Sequence, residues 1–251
     1  YQVFWENYNY FKGWKIMALP KLNTPLYELE LPSTGEKIKF RPFLVKEQKL
    51  LMMAQESEND HEVTDAISNI IYSCTDGVVD AKNSPLFDVE FVFLQLRAKS
   101  VGETAELRVK CPDDNKTFVN VKIKLDEVAV QMTEEHSNVI EITDTIKIVM
   151  KYPVLDDMKK MSGTENEVDN VFDLLQACIH EIHDGDTIHN KIDMTEKDIG
   201  EFIDNLNTGQ FESLMDFFKT MPKLRHALSV TNPKTKKTGE VMLEGLDSFL
   251  A

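Results

Sequence analysis

The stretch "LFDVEFVFLQLRAKSVG", residues 86–102, decides the fold of this chain. Read at helical spacing, its large apolar side chains cover much of the circumference. Ser84 and Pro85 before it supply an N-cap residue and a first-turn proline, and Gly102 ends it. We therefore predict a central helix around which the rest of the chain packs.

The residues before this helix predict a hairpin and two further helices. Residues 26–43, "LYELELPSTGEKIKFRPF", alternate polar and apolar side chains on both sides of a Ser-Thr-Gly turn, in which Gly35 is free to take positive φ. "VKEQKLLMMAQES" and "DHEVTDAISNIIYSC" follow as helices, and the second has an apolar stripe at helical spacing. The stripe consists of Val63, Ile67, Ile70, Ile71 and Cys74.

After the central helix, polar and apolar side chains alternate with a period of two residues. "AELRVK" and "FVNVKIKL" flank "CPDDNK", and "NVIEIT" and "TIKIVMKYP" flank Asp144, which predicts four strands in two hairpins between residues 103 and 150. Helices return at about residue 154. One is predicted from a capping box at Thr164 and Glu167 to Gly185, a second after Thr195 and a third over "FESLMDFFKTMP". The tail reads as a last hairpin and a short terminal helix.

This order predicts an α+β fold in which antiparallel β-hairpins are interleaved with helices, and a helical C-terminal half ends in a small hairpin. We expect an N-terminal part over residues 17–153 and a C-terminal part over residues 154–251. Residues 1–16, "YQVFWENYNYFKGWKI", are an aromatic leader before "MALPKL", which resembles a natural start at Met17. We expect this leader to be translated upstream sequence or an expression scar outside the native domain. The alternative is an aromatic arm that docks on the body.

Composition excludes several classes of function. The formal net charge is −15, and no apolar run is long enough to cross a bilayer. Binding to nucleic acid needs clustered Lys and Arg, so neither nucleic acid nor a membrane is an expected partner. The three cysteines, Cys74, Cys111 and Cys178, are an odd number and far apart, which favours a reducing compartment over a disulfide framework.

The stretch "CIHEIHDGDTIHN", residues 178–190, raises the question of a metal site. His180, His183 and His189 could bind zinc in a metal-dependent hydrolase, although the metalloprotease motif needs histidines four apart and His180 and His183 are three apart. The sequence favours a helix end instead: Cys178 continues the apolar stripe, His183 suits the last turn, and Asp-Gly-Asp follows as a turn.

Other motifs give no catalytic residue. "CPDD" at residue 111 has an aspartate where a zinc knuckle needs its second cysteine, and Asp113-Asp114-Asn115 lacks the spacing of a calcium loop. A polar hairpin turn explains both features. The sequence contains no G-x-S-x-G, P-loop or G-x-G-x-x-G motif. We therefore predict a protein that is not an enzyme, with no cofactor and no metal.

One charge feature stands out in this acidic chain. Residues 219–237 contain no acidic residue and form a candidate docking patch for an acidic partner or for the acidic face of a neighbouring subunit. The alternative is a solvated hairpin turn. The cations of this run are Lys219, Lys223, Arg225, Lys234, Lys236 and Lys237.

Three stretches together resemble the T4-type bacteriophage baseplate hub proteins, a family that includes the hub subunit and the hub-assembly catalyst. They are "LPSTGEKIKFRPFLVKEQKLLMMAQES", "FDVEFVFLQLRAKSVGE" with the later "CPDD" turn, and "FESLMDFFKTMPKLRHAL" with the closing "LEGLDSFL". The resemblance runs from about Met17 to the end of the chain.

The resemblance implies a non-enzymatic role in tail assembly, late in infection and in the host cytoplasm, on the hub, the central spike and the tape-measure protein. Some relatives carry paired cysteines near the counterparts of Cys111 and of the "TNPKTKKTGE" turn; here those turns have one cysteine and none, which puts a structural zinc in doubt. Two versions stay open: an assembly chaperone or catalyst that leaves before completion, and a hub subunit retained in the virion.

Overall fold

The computed structural model describes residues 22–57, 59–161 and 166–249. Within these ranges the chain forms seven α-helices and eleven β-strands, and the strands pair in small antiparallel sheets. The predicted α+β class is therefore confirmed, and the C-terminal end is a hairpin, as predicted. Residues 1–16, the predicted leader, lie outside the described residues.

The N-terminal elements follow the sequence pattern. β1 (Tyr27–Glu30) pairs with β2 (Lys37–Phe40), and Gly35 in their turn has φ +70°. The helices α1 (Val45–Glu56) and α2 (Asp60–Cys74) come next. Along α2, Ile70, Ile71 and Cys74 are buried, so the predicted stripe faces the core.

The central helix α3 (Leu86–Ser100) is enclosed as predicted: Val92, Phe93, Leu94 and Leu96 have no exposed surface. The predicted N-cap at Ser84 is wrong by one residue. Pro85 holds the N-cap position, because the Ser84 hydroxyl instead donates to the Asp80 carbonyl of the preceding turn at 2.8 Å.

A buried carboxylate ties α3 to the first hairpin. Asp88 on α3 accepts hydrogen bonds from the backbone N–H of Ser33 at 3.0 Å and from the Ser33 hydroxyl. Burial raises the pKa of Asp88, while these two bonds act in the opposite direction. The contact fixes the turn between β1 and β2 against the central helix.

The two predicted hairpins between residues 103 and 150 are confirmed. β3 (Thr104–Lys110) pairs with β4 (Phe118–Lys124) in a two-stranded sheet. After the short strand β5 (Ala129–Gln131), β6 (Val139–Glu141) pairs with β7 (Ile146–Met150). The sequence pattern did not predict β5, which pairs with a strand almost a hundred residues further along the chain.

The C-terminal half begins with α4 (Leu155–Met161) and α5 (Glu167–Cys178). The strands β8 (Ile179–Asp184) and β9 (Thr187–Asn190) follow and complete a sheet in the order β6-β7-β8-β9. Asn166 caps α5 by accepting from the Val168 N–H at 3.0 Å; Thr164, the predicted cap, lies outside the described residues.

The prediction that this helix continues to Gly185 is wrong. Residues 179–184 form a strand because Ile182 pairs with Ile148 and Ile179 with Met150, so their backbone groups bond to β7 instead of to the preceding helical turn. Apolar side chains three residues apart fit a helix, but here a bulge in β8 allows the same spacing in a strand.

The last elements are α6 (Glu196–Asp204), α7 (Thr208–Thr220), β10 (Lys223–Thr231) and β11 (Thr238–Glu244). A short 3₁₀ helix, Leu246–Phe249, follows them. Thr195 and Asp198 form the predicted cap of α6, with mutual hydrogen bonds between side chain and backbone. β10 pairs with β11 on one side and with β5 on the other.

Two apolar clusters form the core. The first surrounds α3 and combines buried residues from 38 to 128, Leu155, and residues 224–249 of the C-terminal hairpin and 3₁₀ helix. The second lies between the four-stranded sheet and α5, α6 and α7, with its buried residues between Ile148 and Phe217. The boundary predicted between residues 153 and 154 stays a prediction. Among the described residues, none of the helices has the length and apolar character needed to cross a bilayer.

Candidate functional site

The structure divides the predicted cationic patch into a paired stem and a tip. In the stem, Lys223 Nζ lies 2.9 Å and Arg225 Nε 2.8 Å from the two carboxylate oxygens of Glu244 on the neighbouring strand. Burial acts to raise the pKa of Glu244, but the bonds from these two cations outweigh it and lower the pKa. Lys219 Nζ bonds Asp216 at 2.7 Å. Each of these three cations therefore forms an ion pair with a carboxylate of the same chain.

The tip consists of Lys234, Lys236 and Lys237, in the turn between β10 and β11. All three side chains are exposed, and none of them forms an ion pair with another described residue. Their backbone is well defined, because the Asn232 side chain accepts the N–H groups of Lys234 at 2.9 Å and Thr235 at 3.3 Å. The tip thus offers free positive charge on an ordered turn.

The tip is docked on the turn between β3 and β4. Asn232 is fully buried, and its Nδ2 donates to Asp113 Oδ1 at 2.9 Å and to Asp114 Oδ2 at 3.0 Å. The Thr235 hydroxyl donates to Asp113 Oδ2 at 2.5 Å. A polar link thus joins residues more than a hundred positions apart and fixes the direction in which the tip projects.

Hydrogen bonds in this link favour the ionised carboxylates of Asp113 and Asp114. A hydrogen bond from the Thr117 hydroxyl, followed by the backbone N–H groups of Thr117 and Lys116, holds the pKa of Asp114 far below its usual range. Thr235 and then Asn232 lower the pKa of Asp113 in the same way. Asp113-Asp114-Asn115 is the polar hairpin turn that the sequence predicted.

The two turns share one backbone geometry. Asn115 donates its N–H to the Cys111 carbonyl at 3.0 Å, and Lys236 donates to the Asn232 carbonyl at 2.9 Å. Asn115 and Lys236 both have a left-handed φ, 51° and 62°. The resemblance implies that some relatives carry paired cysteines near the counterparts of these two turns. In this chain a hydrogen-bond network joins them instead.

The structure does not bring the three candidate metal ligands together. His189 pairs with Ile182 and therefore shares its face of the sheet, whereas His183 alternates to the other face and pairs with Ile188. His180 lies at the bulge of β8, outside the ladder. The prediction that His183 ends a helix is wrong; its Nε2 lies 2.8 Å from Glu181 Oε2 on the same strand.

The remaining metal-ligating side chains are equally dispersed. Across the described ranges there is no group of three or more His, Cys, Asp or Glu side chains placed to hold a metal ion. Cys74, Cys111 and Cys178 are free and buried. Burial raises the pKa of the Cys178 thiol to about 12 and that of Cys74 to about 11, so both behave as small apolar side chains.

Sequence reasoning missed the docking of one turn on the other. Asp113, Asp114 and Asn232 are each ordinary turn residues, and nothing local shows that they meet. The missed signal was the likeness of the two turns: in each, a short polar segment with a proline near its start joins two strands of period two.

Comparison with known proteins identifies the chain at the level of its family. No curated protein and no solved structure gives a significant match. The family model described as "T4 bacteriophage base plate protein" matches residues 24–251, which include all the elements described above. This match confirms the resemblance at that level, and the chain belongs to the T4 bacteriophage base plate protein family.

Proposed function

We propose that this protein builds the hub at the centre of the phage base plate through protein–protein contacts and without catalysis. The observation that carries the proposal is the family match over residues 24–251. The partners we propose are the hub, the central spike and the tape-measure protein. Neither nucleic acid nor a membrane belongs to this role, which takes place in the host cytoplasm and, for a retained subunit, continues in the virion.

The hairpin tip supports a docking role. Its three lysines project from an ordered turn, free of internal ion pairs with described residues, on a chain whose net charge is −15. Opposite charge across an interface speeds encounter and fixes register. A partner with an acidic face would meet these cations without first breaking an ion pair to any described residue.

The direct test is quantitative mass spectrometry of purified virions and of base plate intermediates from infected cells. Presence in both, at a fixed ratio to the hub, identifies a structural subunit. Presence in intermediates alone identifies an assembly chaperone or catalyst. Absence from both, in cells that make the protein, would contradict the proposed role.

A charge-reversal experiment tests the tip itself. Lys234, Lys236 and Lys237 are changed together to Glu, and co-sedimentation with base plate intermediates is measured. The matched control reverses Lys37, Lys49 and Lys82, which are exposed and form no ion pair with described residues. We expect loss of co-sedimentation with the tip variant only, at an unchanged melting temperature. Unchanged co-sedimentation would make the tip a solvated turn.

A further inference from the structure

The outer face of the β3–β4 hairpin is a second basic surface, which the run of cations at residues 219–237 does not include. Ala105, Leu107, Val109 and Ile123 point inward and belong to the first apolar cluster. Because strand side chains alternate, the residues between them point outward and are exposed. The outward-facing cations are Arg108, Lys110, Lys122 and Lys124.

An exposed aromatic ring lies among these cations. Phe118 pairs with Lys110 across the strands and is 46% exposed. Arg108 Cζ lies 4.6 Å and Lys110 Nζ 5.8 Å from the centroid of its ring. These cation–π contacts favour positions of the two cations over the ring, so the surface offers positive charge beside an apolar platform.

The charge is concentrated at the turn end of the hairpin. At the opposite end Lys124 is neutralised by Glu127 at 2.9 Å. Arg108 and Lys110, which lie nearer the turn, form no ion pair with any residue in the described ranges. The same holds for Lys122, but it lies two residues from Lys124 and faces Glu106 across the strands. The basic surface is therefore directed towards the turn.

The hairpin tip extends this surface. The turn between β3 and β4 is the one on which Asn232 docks the tip, and a Cβ on Gly239 would lie 2.5 Å from Pro112 Cγ. Lys116 on one turn and the tip lysines on the other are thus brought to the same end of the molecule. Asp113 and Asp114 there accept hydrogen bonds from their neighbours.

The chemistry of the surface selects its occupant. Duplex nucleic acid carries a negative charge about every 1.7 Å along its axis, so a long polyanion would run beyond the basic face onto a chain whose net charge is −15. A short acidic segment of a protein meets the local cations only. Phe118 adds a preference for an apolar side chain among the carboxylates.

We propose that the outer face of β3–β4, centred on Arg108, Lys110 and Phe118, binds an extended acidic segment of a protein partner that carries apolar side chains between its carboxylates. The inference rests on the proposed function for the partner being a protein. The inference goes beyond the proposed function in two ways. It assigns a binding surface outside the tip, and it states the chemistry of the segment that binds there.

The test uses the full chain and a labelled synthetic peptide of Asp residues with Leu at every third position, and binding is measured by fluorescence anisotropy at low salt. A peptide with Asn in place of Asp controls for charge, and a single-stranded oligonucleotide of equal charge represents nucleic acid. The face variant is Arg108→Glu with Lys110→Glu, and the matched control is Lys49→Glu with Lys82→Glu. A melting curve checks that each variant is folded. A second face variant and control carry Gln at these positions, which removes the positive charge without reversing it.

We expect the face variant to weaken binding of the acidic peptide about tenfold or more, and the control variant to leave it within about twofold. Phe118→Ala should weaken it about threefold, because it removes a platform without changing charge. The Asn peptide should not bind.

Three results would overturn the inference: no binding of the acidic peptide, equal loss in the control variant, or tighter binding of the oligonucleotide. The last would identify a nucleic-acid surface. These outcomes are independent of whether the protein occurs in virions and intermediates. Failure of this inference can therefore be told apart from failure of the hub role.

Discussion

The two apolar clusters differ in how the chain reaches them. The cluster around α3 draws on residues 38–128, on Leu155 and then, after a long interval, on residues 224–249. The cluster beneath the four-stranded sheet is built from one continuous stretch, Ile148 to Phe217. The first region is therefore complete only when the C-terminal hairpin has docked, whereas the second has all its buried residues within a single segment.

The second region can therefore form from contacts within one segment of the chain, whereas the first also needs contacts with the distant C-terminal hairpin. Contacts between residues close in sequence cost little loop-closure entropy. Contacts between distant residues close longer loops and therefore cost more of this entropy. Besides this apolar packing, the C-terminal hairpin and the 3₁₀ helix after it contact the first region through the pairing of β10 with β5, the Asn232 link to the β3–β4 turn, and the bond from Leu246 to Glu90. The same hairpin carries the tip lysines, so closure also positions the candidate docking surface.

The largest expected effect comes from truncating one fully buried phenylalanine in each region. Phe93→Ala and Phe217→Ala should each lower the free energy of unfolding by about 3–5 kcal/mol, because each leaves a cavity the size of a phenyl ring. Chemical denaturation measures the loss. A loss below about 1 kcal/mol for Phe93→Ala would contradict the central position of α3.

Hydrogen exchange of the same two variants sharpens the comparison. Phe93→Ala should speed exchange both in residues 38–128 and in the distant hairpin at 224–249. Phe217→Ala should act first on residues 148–217. Exchange that rises equally throughout the chain in both variants would show that the two clusters open as one unit.

The next effect tests the polar closure of the first region. Asn232→Ala should lower the free energy of unfolding by about 1–3 kcal/mol, because it removes a fully buried side chain together with its hydrogen bonds to Asp113, Asp114 and the backbone of its own turn. The control is Asn190→Ala in the second region, an exposed side chain for which a change within about 0.5 kcal/mol is expected. Equal melting temperatures for the two variants would mean that the turn link does not hold the hairpin.

An effect of similar size but opposite sign concerns the carboxyl group of Glu90, which contacts the 3₁₀ helix after the C-terminal hairpin. Burial raises the pKa of Glu90 to about 7, while the N–H of Leu246, 3.2 Å away, acts to lower it and the carboxylates of Asp247 and Glu244 add to the rise. Between the ordinary pKa of 4.5 and about 7, the folded chain holds a proton that the unfolded chain releases. Stability from this group therefore falls as pH rises through that window.

Glu90→Gln should remove this dependence. At about pH 8 it should raise the free energy of unfolding by about 1–3 kcal/mol, because the amide carries no charge and its oxygen still accepts from Leu246. At about pH 4 the two proteins should be alike. Denaturation at both pH values measures the change, and a variant that is less stable at the higher pH would contradict a raised pKa.

The sequence predicted most of the elements, for a physical reason that also explains the errors. α3, α6 and the hairpins have local signals, such as the apolar circumference of α3 and the Thr195 cap of α6. The segment Ile179–Asp184 was predicted to be helical because its isoleucines are three apart, and pairing with β7 overrides that spacing. β5 has three residues and takes its partner from β10, so no local pattern could reveal it.

The candidate site was predicted in part. Its cations were found as a run without acidic residues, but only the register between β10 and β11, which sets Arg225 opposite Glu244, shows that the stem is neutralised. The outward cations of β3–β4 were within reach of the sequence, since the alternation in "ELRVK" and "FVNVKIK" already sorts Arg108 and Lys110 from the buried residues. A search for runs of charge misses cations that alternate with apolar residues.

The smallest effect is expected where the second region faces solvent. His183→Ala removes a partly exposed side chain whose described polar partner is Glu181 on the same strand, so the free energy of unfolding should change by less than about 1 kcal/mol. Metal content by elemental analysis should be the same before and after the change. Because His183 and His189 point to opposite faces, no single ion can bind both without breaking the β8–β9 pairing. Stoichiometric zinc that is lost on His183→Ala would therefore contradict the β8–β9 pairing and would favour the metal-dependent alternative.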